Sequence, residues 1–399
     1  MKRKIIIGIV VAVAAVSICG VVLSRVAEKE IRDSMAKVPG ASVTAQKVHL
    51  SLLKGNLEII GLEFAFQDST SNTGLTGSFD AIKLMHVHWG GLFKKTARFS
   101  EVLAENGEIG IDSRKDHVKM TLHGLNASAS DICYRFMDNA NNGVEIDSIH
   151  VSGAEAVLFQ DYRNRPSAQF PTIQESIDAI GRPIQINSVN ADFKALSFIL
   201  ETTDINRGTL PMHNVSVAVN SVSNAPGNVM EVNVKTGLPG KSRMHFSLNT
   251  HNNHNESTSG KYQILNLDAS KLDGFTRPLF GATIRADVHR IDCSFSGNKF
   301  DMKSRFCMQY DNLKVHAWED SSAPYRIVAD NTGIINFLAN LVLPHANPAV
   351  PGKEPKEVEY QFQRDPMRTY PEYLLQSAIY GAMHTLLPGS RIHKRQDQK

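Results

Sequence analysis

Cysteine is scarce in this chain. There are four in 399 residues, and Cys19 lies inside the first apolar run. The other three, Cys133, Cys293 and Cys307, are odd in number and read as buried free thiols rather than a disulfide framework. A two-residue hairpin at Gly297-Asn298 would set Cys293 opposite Met302, not Cys307. Charge of one sign is lacking too: 43 Lys and Arg stand against 40 Asp and Glu. With no dense basic stripe, a nucleic-acid surface is excluded. Disorder is excluded by a hydrophobic share of 42%, ordinary for a chain that buries a core. No convincing catalytic signature is present, and no second long apolar run follows the first.

That first run organises the chain. Lys2, Arg3 and Lys4 precede Ile5 to Leu23, nineteen residues without a charge. As a helix they span ~28 Å, close to the ~30 Å of a hydrocarbon core. Ile5, Ile9, Val13, Val16 and Leu23 sample this membrane anchor. The basic cluster predicts a cytoplasmic N-terminus and the bulk outside. The alternatives are a cleaved signal peptide, whose apolar core is normally shorter, and lipidation at Cys19, where Ile18 is bulky for such a site.

After the anchor, Ala27, Ile31 and Met35 continue a helix to Pro39-Gly40. The period then changes to two. Val43 and Ala45, then Val48, Leu50 and Leu52, alternate with a phase slip at Gln46-Lys47. Leu57 and Ile59, then Leu62, Phe64 and Phe66, do the same around Gly61. Short pieces follow at Ile82–Trp89, Ile109–Ile111 and Met120–Leu122. The spacing predicts a helix over Ala127–Ala140, with Ile132, Phe136 and Ala140 on one face, and another over Pro171–Gly181, with Ile173, Ile177 and Ile180.

From Val215 onward the alternation is clearest. Val217, Val232 and Phe246 sit at inward positions of strands turned at Pro226-Gly227-Asn228 and Pro239-Gly240. Asn252–Ser259 reads as a loop, and strands continue to Tyr310. This is a mainly β chain with an antiparallel sheet. Two helices are predicted to close it. Asn331–Leu343 carries Ile334, Leu338 and Leu341. After a Pro-rich linker to Pro355, Pro371 opens the second, which runs to about Leu387 with Leu375, Ile379, Met383 and Leu386 as its stripe. The phrases Ile146-Asp147-Ser148-Ile149 and Ile186-Asn187-Ser188-Val189 hint at a repeated unit, each expected to precede a strand.

Several phrases together carry a family resemblance. They are VTAQKVHLSLLKGNLEIIGLEFAF from Val43, IDSIHVSGAEAVLFQD from Ile146, INSVNADFKALSFILE from Ile186 and HNVSVAVNSVSN from His213. The meander LFGATIRADVHRIDCSFSGNKFDMKSRFCMQYDNLKVHAWE from Leu279 and the closing INFLANLVLPHANP and FQRDPMRTYPEYLLQSAIYGAMHTL complete the set. With the single anchor, these resemble the short branch of the AsmA-like family of Gram-negative envelope proteins. The HNNHNESTSG loop and the Ala127–Ala140 segment depart from that pattern. The resemblance implies a large curved antiparallel sheet, an open groove or taco-like form, with an N-terminal transmembrane helix and two short C-terminal helices. It implies an inner-membrane, single-pass protein with its bulk in the periplasm. Such a protein binds or passes phospholipid and supports outer-membrane assembly, with no enzyme activity. About fifteen strands at ~4.8 Å each would extend only ~70 Å, short for a bridge across a periplasm.

The expected organisation is an anchor and juxtamembrane helix over 1–38, a β-rich domain over 39–328, a helical closing segment over 329–390 and a polar tail over 391–399. Read without the resemblance, the apolar strand faces are an ordinary core or a lipid-sized trough, and the alternation is the same for both. A closed core gives the alternative function: a scaffold or assembly factor holding an envelope protein partner through Leu375, Ile379 and Met383, a stripe equally suited to lying on a membrane. No cofactor is expected.

Ser51-Leu-Leu-Lys54, Ser188-Val-Asn190 and Lys235-Thr-Gly237 follow the order of penicillin-binding motifs. That chemistry needs Ser and Lys one helical turn apart, and this stretch is strand-like. His86 with His88, and His251 with His254 and Glu256, lack further ligands at a recognisable spacing. Arg364 and Asp365 suggest an ion pair or a contact at the start of the last helix.

Overall fold

The computed structural model describes residues 41–51, 55–68, 73–88, 96–113, 117–135, 143–161, 169–201, 207–317, 343–367 and 369–386. The expected anchor positions Ile5, Ile9, Val13, Val16 and Leu23 lie outside the described residues, as does the expected helix over 331–342. No described helix is long and apolar enough to cross a membrane.

Fifteen strands form one sheet. They are β1 (Ala41–Ser51), β2 (Asn56–Asp68), β3 (Thr73–Val87), β4 (Thr96–Ser113), β5 (Val118–Arg135), β6 (Val144–Ser152), β7 (Glu155–Asp161) and β8 (Ile184–Glu201). Next come β9 (Arg207–Ser223), β10 (Val229–Gly237), β11 (Arg243–His251), β12 (Thr258–Asp268), β13 (Ala282–Gly297), β14 (Asp301–Ala317) and β15 (Glu357–Gln363). Helix α1 (Ile173–Asp178) lies between β7 and β8, α2 (Asp273–Phe280) between β12 and β13, and α3 (Tyr370–Leu386) follows β15. Strand order follows the chain from β1 to β15, except that β6 and β7 share one position between β5 and β8.

The pairing registers draw a single apolar row across the sheet. Val48, Ile59, Ile82, Ala104, Ala127, Val151 and Ala191 oppose one another in turn. Val217, Val234, Phe246, Tyr262, Cys293, Phe306 and Val358 continue the row to the far edge. Side chains alternate faces along a strand, so the row one residue over lies on the other face. That row reads His49, Glu58, Lys83, Leu103, Ser128, His150 and Asn190, then Ala218, Asn233, Ser247, Lys261, Ser294, Arg305 and Glu359. One face is apolar from edge to edge, over roughly 60 Å at ~4.8 Å per strand. The other carries ion pairs such as Lys83–Glu105 at 2.6 Å and Arg305–Glu359 at 2.7 Å.

The phase slips in the sequence are kinks that face each other across paired strands. Gly61 has φ 59° and lies between the paired residues Ile60 and Leu62, opposite Gln46. At the same level across the sheet come Asp80, Asn106 (φ 47°), Gly124 (φ 68°), Gly153 (φ 78°) and Asn214 (φ 50°). Side chains hold the line: Asn106 Nδ2 donates to Asp80 Oδ2 at 2.8 Å and its backbone N to Asn126 Oδ1 at 3.0 Å. Pairing keeps one register on both sides, so neither strand gains a residue, and the alternation changes phase in both strands together. Leu57 and Ile59 before the kink, and Leu62 and Phe64 after it, therefore share one apolar cluster.

Glycines on the apolar face sit opposite aromatic rings. Gly77 faces Phe64, Gly107 faces Phe79 and Gly260 faces Phe295. A Cβ on Gly260 would overlap the Phe295 ring and the Ser247 carbonyl. Gly260→Val is therefore expected to cost ~1–3 kcal/mol. Ser259→Val, at the exposed neighbouring position, should leave the thermal midpoint within a degree or two. Parallel melts followed by circular dichroism check this.

Four expectations change. The sheet is not antiparallel throughout: β6 and β7 pair parallel with β8, at a constant offset of forty residues, Ile146 on Ile186 and Glu155 on Ala195. The two recurring phrases therefore lie within strands, side by side, and the crossover through α1 makes the parallel pairing possible. The predicted helix at 127 is instead strand up to Arg135, and 136–140 lie outside the described residues. Ala127 and Ala129 are held between Ala104 and Val151, and Val102 and Ile149, so pairing on both sides overrides a weak helical periodicity. Gly297 pairs with Met302, giving a longer loop than two residues, tightened by Asn298 Oδ1 accepting from Phe300 N at 2.7 Å. Cys293 thus opposes Phe306 and Cys307 opposes Asp292, and both thiols are free, as is Cys133.

The fourth change concerns the closing segment. β15 adds a strand beyond residue 328, and the Pro-rich stretch is anchored at Asn347 while 349–354 are exposed. Buried Asn347 bridges to β14, with Nδ2 donating to the Met308 carbonyl at 2.6 Å and Oδ1 accepting from Lys356 N at 2.7 Å.

Candidate apolar trough

Helix α3 shows how the apolar face is arranged. Thr369 Oγ1 accepts from Glu372 N at 3.4 Å at its start. Lys356 Nζ donates to the His384 and Thr385 carbonyls at its end, at 3.0 and 3.4 Å, satisfying orphan acceptors at the negative pole. One flank lies on β14 and β15. Gly381 sits against the Phe306 ring, the Tyr360 hydroxyl donates to the Ser377 carbonyl at 2.6 Å, and the Phe362 and Tyr373 rings stack at 5.7 Å. The other flank reaches β7 and β8. Gln160 Nε2 donates to Glu372 Oε2 at 3.3 Å, and Leu375 and Ile379 pack on the cluster of Leu200, Phe275 and Ala282. Gln160, Leu200 and Phe306 all belong to the apolar face by register. From β8 to β14 is six steps, ~29 Å if flat, and the helix is only ~10–12 Å wide. The sheet therefore wraps α3 with its apolar face inward.

The buried side of α3 is not the expected stripe. Tyr370, Tyr373, Ser377, Gly381 and Thr385 are buried, while Met383 is half-buried. Small residues at a spacing of four let the helix backbone approach the sheet. The apolar positions flank this seam.

Polar groups enclosed here are shifted by burial. The Cys293 thiol is pushed up to about 11, chiefly by desolvation, so it stays protonated and inert. Tyr360 and Tyr262 are pushed upward for the same leading reason. His384 is tilted against Tyr380 and stacked with Tyr360, at centroid distances of 4.6 and 6.1 Å. Desolvation, then the charge of Lys356, lowers its pKa. Stability linked to the neutral ring is therefore complete above the ordinary value of ~6.5 and is lost as pH falls from there towards the depressed folded value. Amide exchange in α3 is expected to accelerate between pH 7 and 5.5, after correction for intrinsic rates. His384→Phe should remove that acceleration.

The rest of the apolar face falls into two sections, one buried and one half-buried. Val48, Leu57, Ile59, Leu84 and Phe99 anchor a second cluster on β1 to β4, joined by Tyr134 of β5. Between the clusters, Ala127, Ala129, Ile149, Val151, Val189, Val217 and Val219 are half-buried. The three positions read from the sequence lie on this face. Val217 pairs with Val234, which pairs with Phe246, and Val232 pairs with Val219 and Leu248. Val232 and Phe246 pack against the α3-side cluster, and Val217 is half-buried outside it.

The other singled-out residues serve structure. Ser51 ends β1, Ser188 lies in β8 and Lys235 in β10, so no helix start brings them together, and Lys54 lies outside the described residues. His86, His88, His251 and His254 are exposed, whereas Glu256 is buried and its carboxyl is raised chiefly by desolvation. Among the described residues no group of three His, Cys, Asp or Glu is placed to hold a metal. Arg364 NH2 donates to the Phe170 carbonyl at 2.7 Å, and Asp365 Oδ1 accepts from Met367 N at 2.9 Å. This ties the start of α1 to the end of β15. Thr172 and Glu175 form a capping box there, and in α1 Gln174 is buried while Ile180 is 45% exposed, against the expected isoleucine face.

No family model, curated protein or solved structure matches the chain.

Proposed function

We propose that the chain is an envelope protein of the AsmA-like type, held by Ile5–Leu23 in the inner membrane with its bulk in the periplasm. It holds or passes phospholipid by the acyl chains, with no catalytic step. The observation that carries this reading is the uncharged row across fourteen strands, backed by a polar row on the reverse. A closed core alone would not require such a row to run from edge to edge. The half-buried alanines and valines between the two clusters give hydrocarbon a floor to lie on, and removing acyl methylenes from water favours binding by ~0.8 kcal/mol each.

A scaffold with a closed core is the second reading. It draws on the packed region around α3. Its proposed partner contacts, Leu375 and Ile379, are turned into the chain's own cluster, which weakens it.

Native mass spectrometry of the detergent-extracted full chain, with lipid extraction, separates the two. Phospholipid retained at near-stoichiometric yield is expected. A folded, lipid-free chain would leave the scaffold reading.

A further inference from the structure

We infer that α3 is a built-in occupant of the trough, so that an acyl chain is held only over the floor of β4 to β8. The inference rests on the lipid-handling reading and narrows it to one section of the apolar face.

Side-chain size divides the face first. Where α3 lies, the row consists of Phe246, Tyr262, Cys293 and Phe306, with Phe295 beside it. These rings fill the space between sheet and helix: Phe306 is 1% exposed and Phe295 5%. Over β4 to β8 the same row consists of Ala104, Ala127, Val151 and Ala191. Small side chains leave room above the floor that large ones would take up. Their neighbours Val102, Ala129, Ile149 and Val189 continue the surface in the next row without an aromatic ring.

The contacts of α3 divide it a second time. The helix touches β7 and β8 on one flank and β14 and β15 on the other, and at 17 residues it is ~26 Å long. It meets the sheet at Gly381 and Ser377, with close backbone approach to the Phe306 ring and a hydroxyl bond from Tyr360. Such a seam leaves no layer for hydrocarbon between helix and sheet. No described helix packs on the floor rows of β4 to β6. Those strands and their neighbours to β8 span ~19 Å across, enough for one acyl chain, which fills about half of a ~30 Å hydrocarbon core.

The test places a photoreactive amino acid singly at Ala129, Val151, Phe246 or Tyr262 of the full-length, detergent-extracted chain. Each protein is irradiated with vesicles of phosphatidylethanolamine and phosphatidylglycerol. Lipid adducts are expected at Ala129 and Val151, and at least tenfold fewer at Phe246 and Tyr262. As a second measurement, Ala129→Trp should lower retained phospholipid several-fold while Phe246→Leu leaves it unchanged. Equal adducts at all four positions, or adducts mainly at Phe246 and Tyr262, would overturn the inference but keep lipid handling. Adducts nowhere, with no retained lipid, would remove both.

Discussion

Phe306→Ala is expected to destabilise the protein by ~3–5 kcal/mol. The ring is 1% exposed, opposes Cys293 and Val358 in the sheet, and lies directly under Gly381. Its removal leaves a cavity lined by two strands and a helix. Neither side can collapse into it, because α3 is tied to Gln160 of β7 at its start and to Lys356 at its end. Thermal unfolding followed by circular dichroism measures the loss. Phe300→Ala is the control, since Phe300 is 62% exposed in the β13–β14 loop, and its midpoint should barely move. Equal shifts for the two variants would mean that α3 is not packed on β14.

Gly381→Leu is expected to lift α3 off the sheet. A Cβ at this position would already lie 2.7 Å from the Phe306 ring and 2.8 Å from the Tyr360 hydroxyl. A leucine must push one of them aside or move the helix. Replacing a helical glycine gains ~1 kcal/mol of propensity, but this overlap costs more. The hydroxyl bond from Tyr360 to the Ser377 carbonyl would be lost with it. Hydrogen exchange should show protection falling across 370–386 while β2 to β4 keep theirs. Unchanged or increased protection in α3 would contradict the close seam.

Much of this fold is legible in the sequence because apolar alternation and its slips are local. The slip at Gln46-Lys47 and the break at Gly61 are visible as changes of phase, and they face each other as one kink in the β1–β2 pair. Val217, Val232 and Phe246 share a face for the same reason. Pro371 and the Pro388-Gly389 stop bracket α3 to within a residue or two. Direction of pairing is not local: the Ile146 and Ile186 phrases look alike whether they lie parallel or antiparallel, and only the α1 crossover decides. The helix expected over Ala127–Ala140 failed because alanine and serine suit either state until Val151 and Ala104 flank them. The α3 seam was invisible because Ser377, Gly381 and Thr385 carry no hydrophobic signal. Their burial follows from smallness against a crowded aromatic surface.

The most direct test of the apolar face uses two adjacent residues of β8. Val189 lies on the floor between Ile149 and Val219, and Asn190 faces the other way, between His150 and Ala218. Val189→Asp and Asn190→Asp add the same charge one residue apart. Phospholipid retained by the full-length chain should fall several-fold in the first and stay at the wild-type level in the second, with both variants giving the wild-type circular dichroism spectrum. Equal retention by two folded variants would contradict the assignment of the apolar face as the lipid surface.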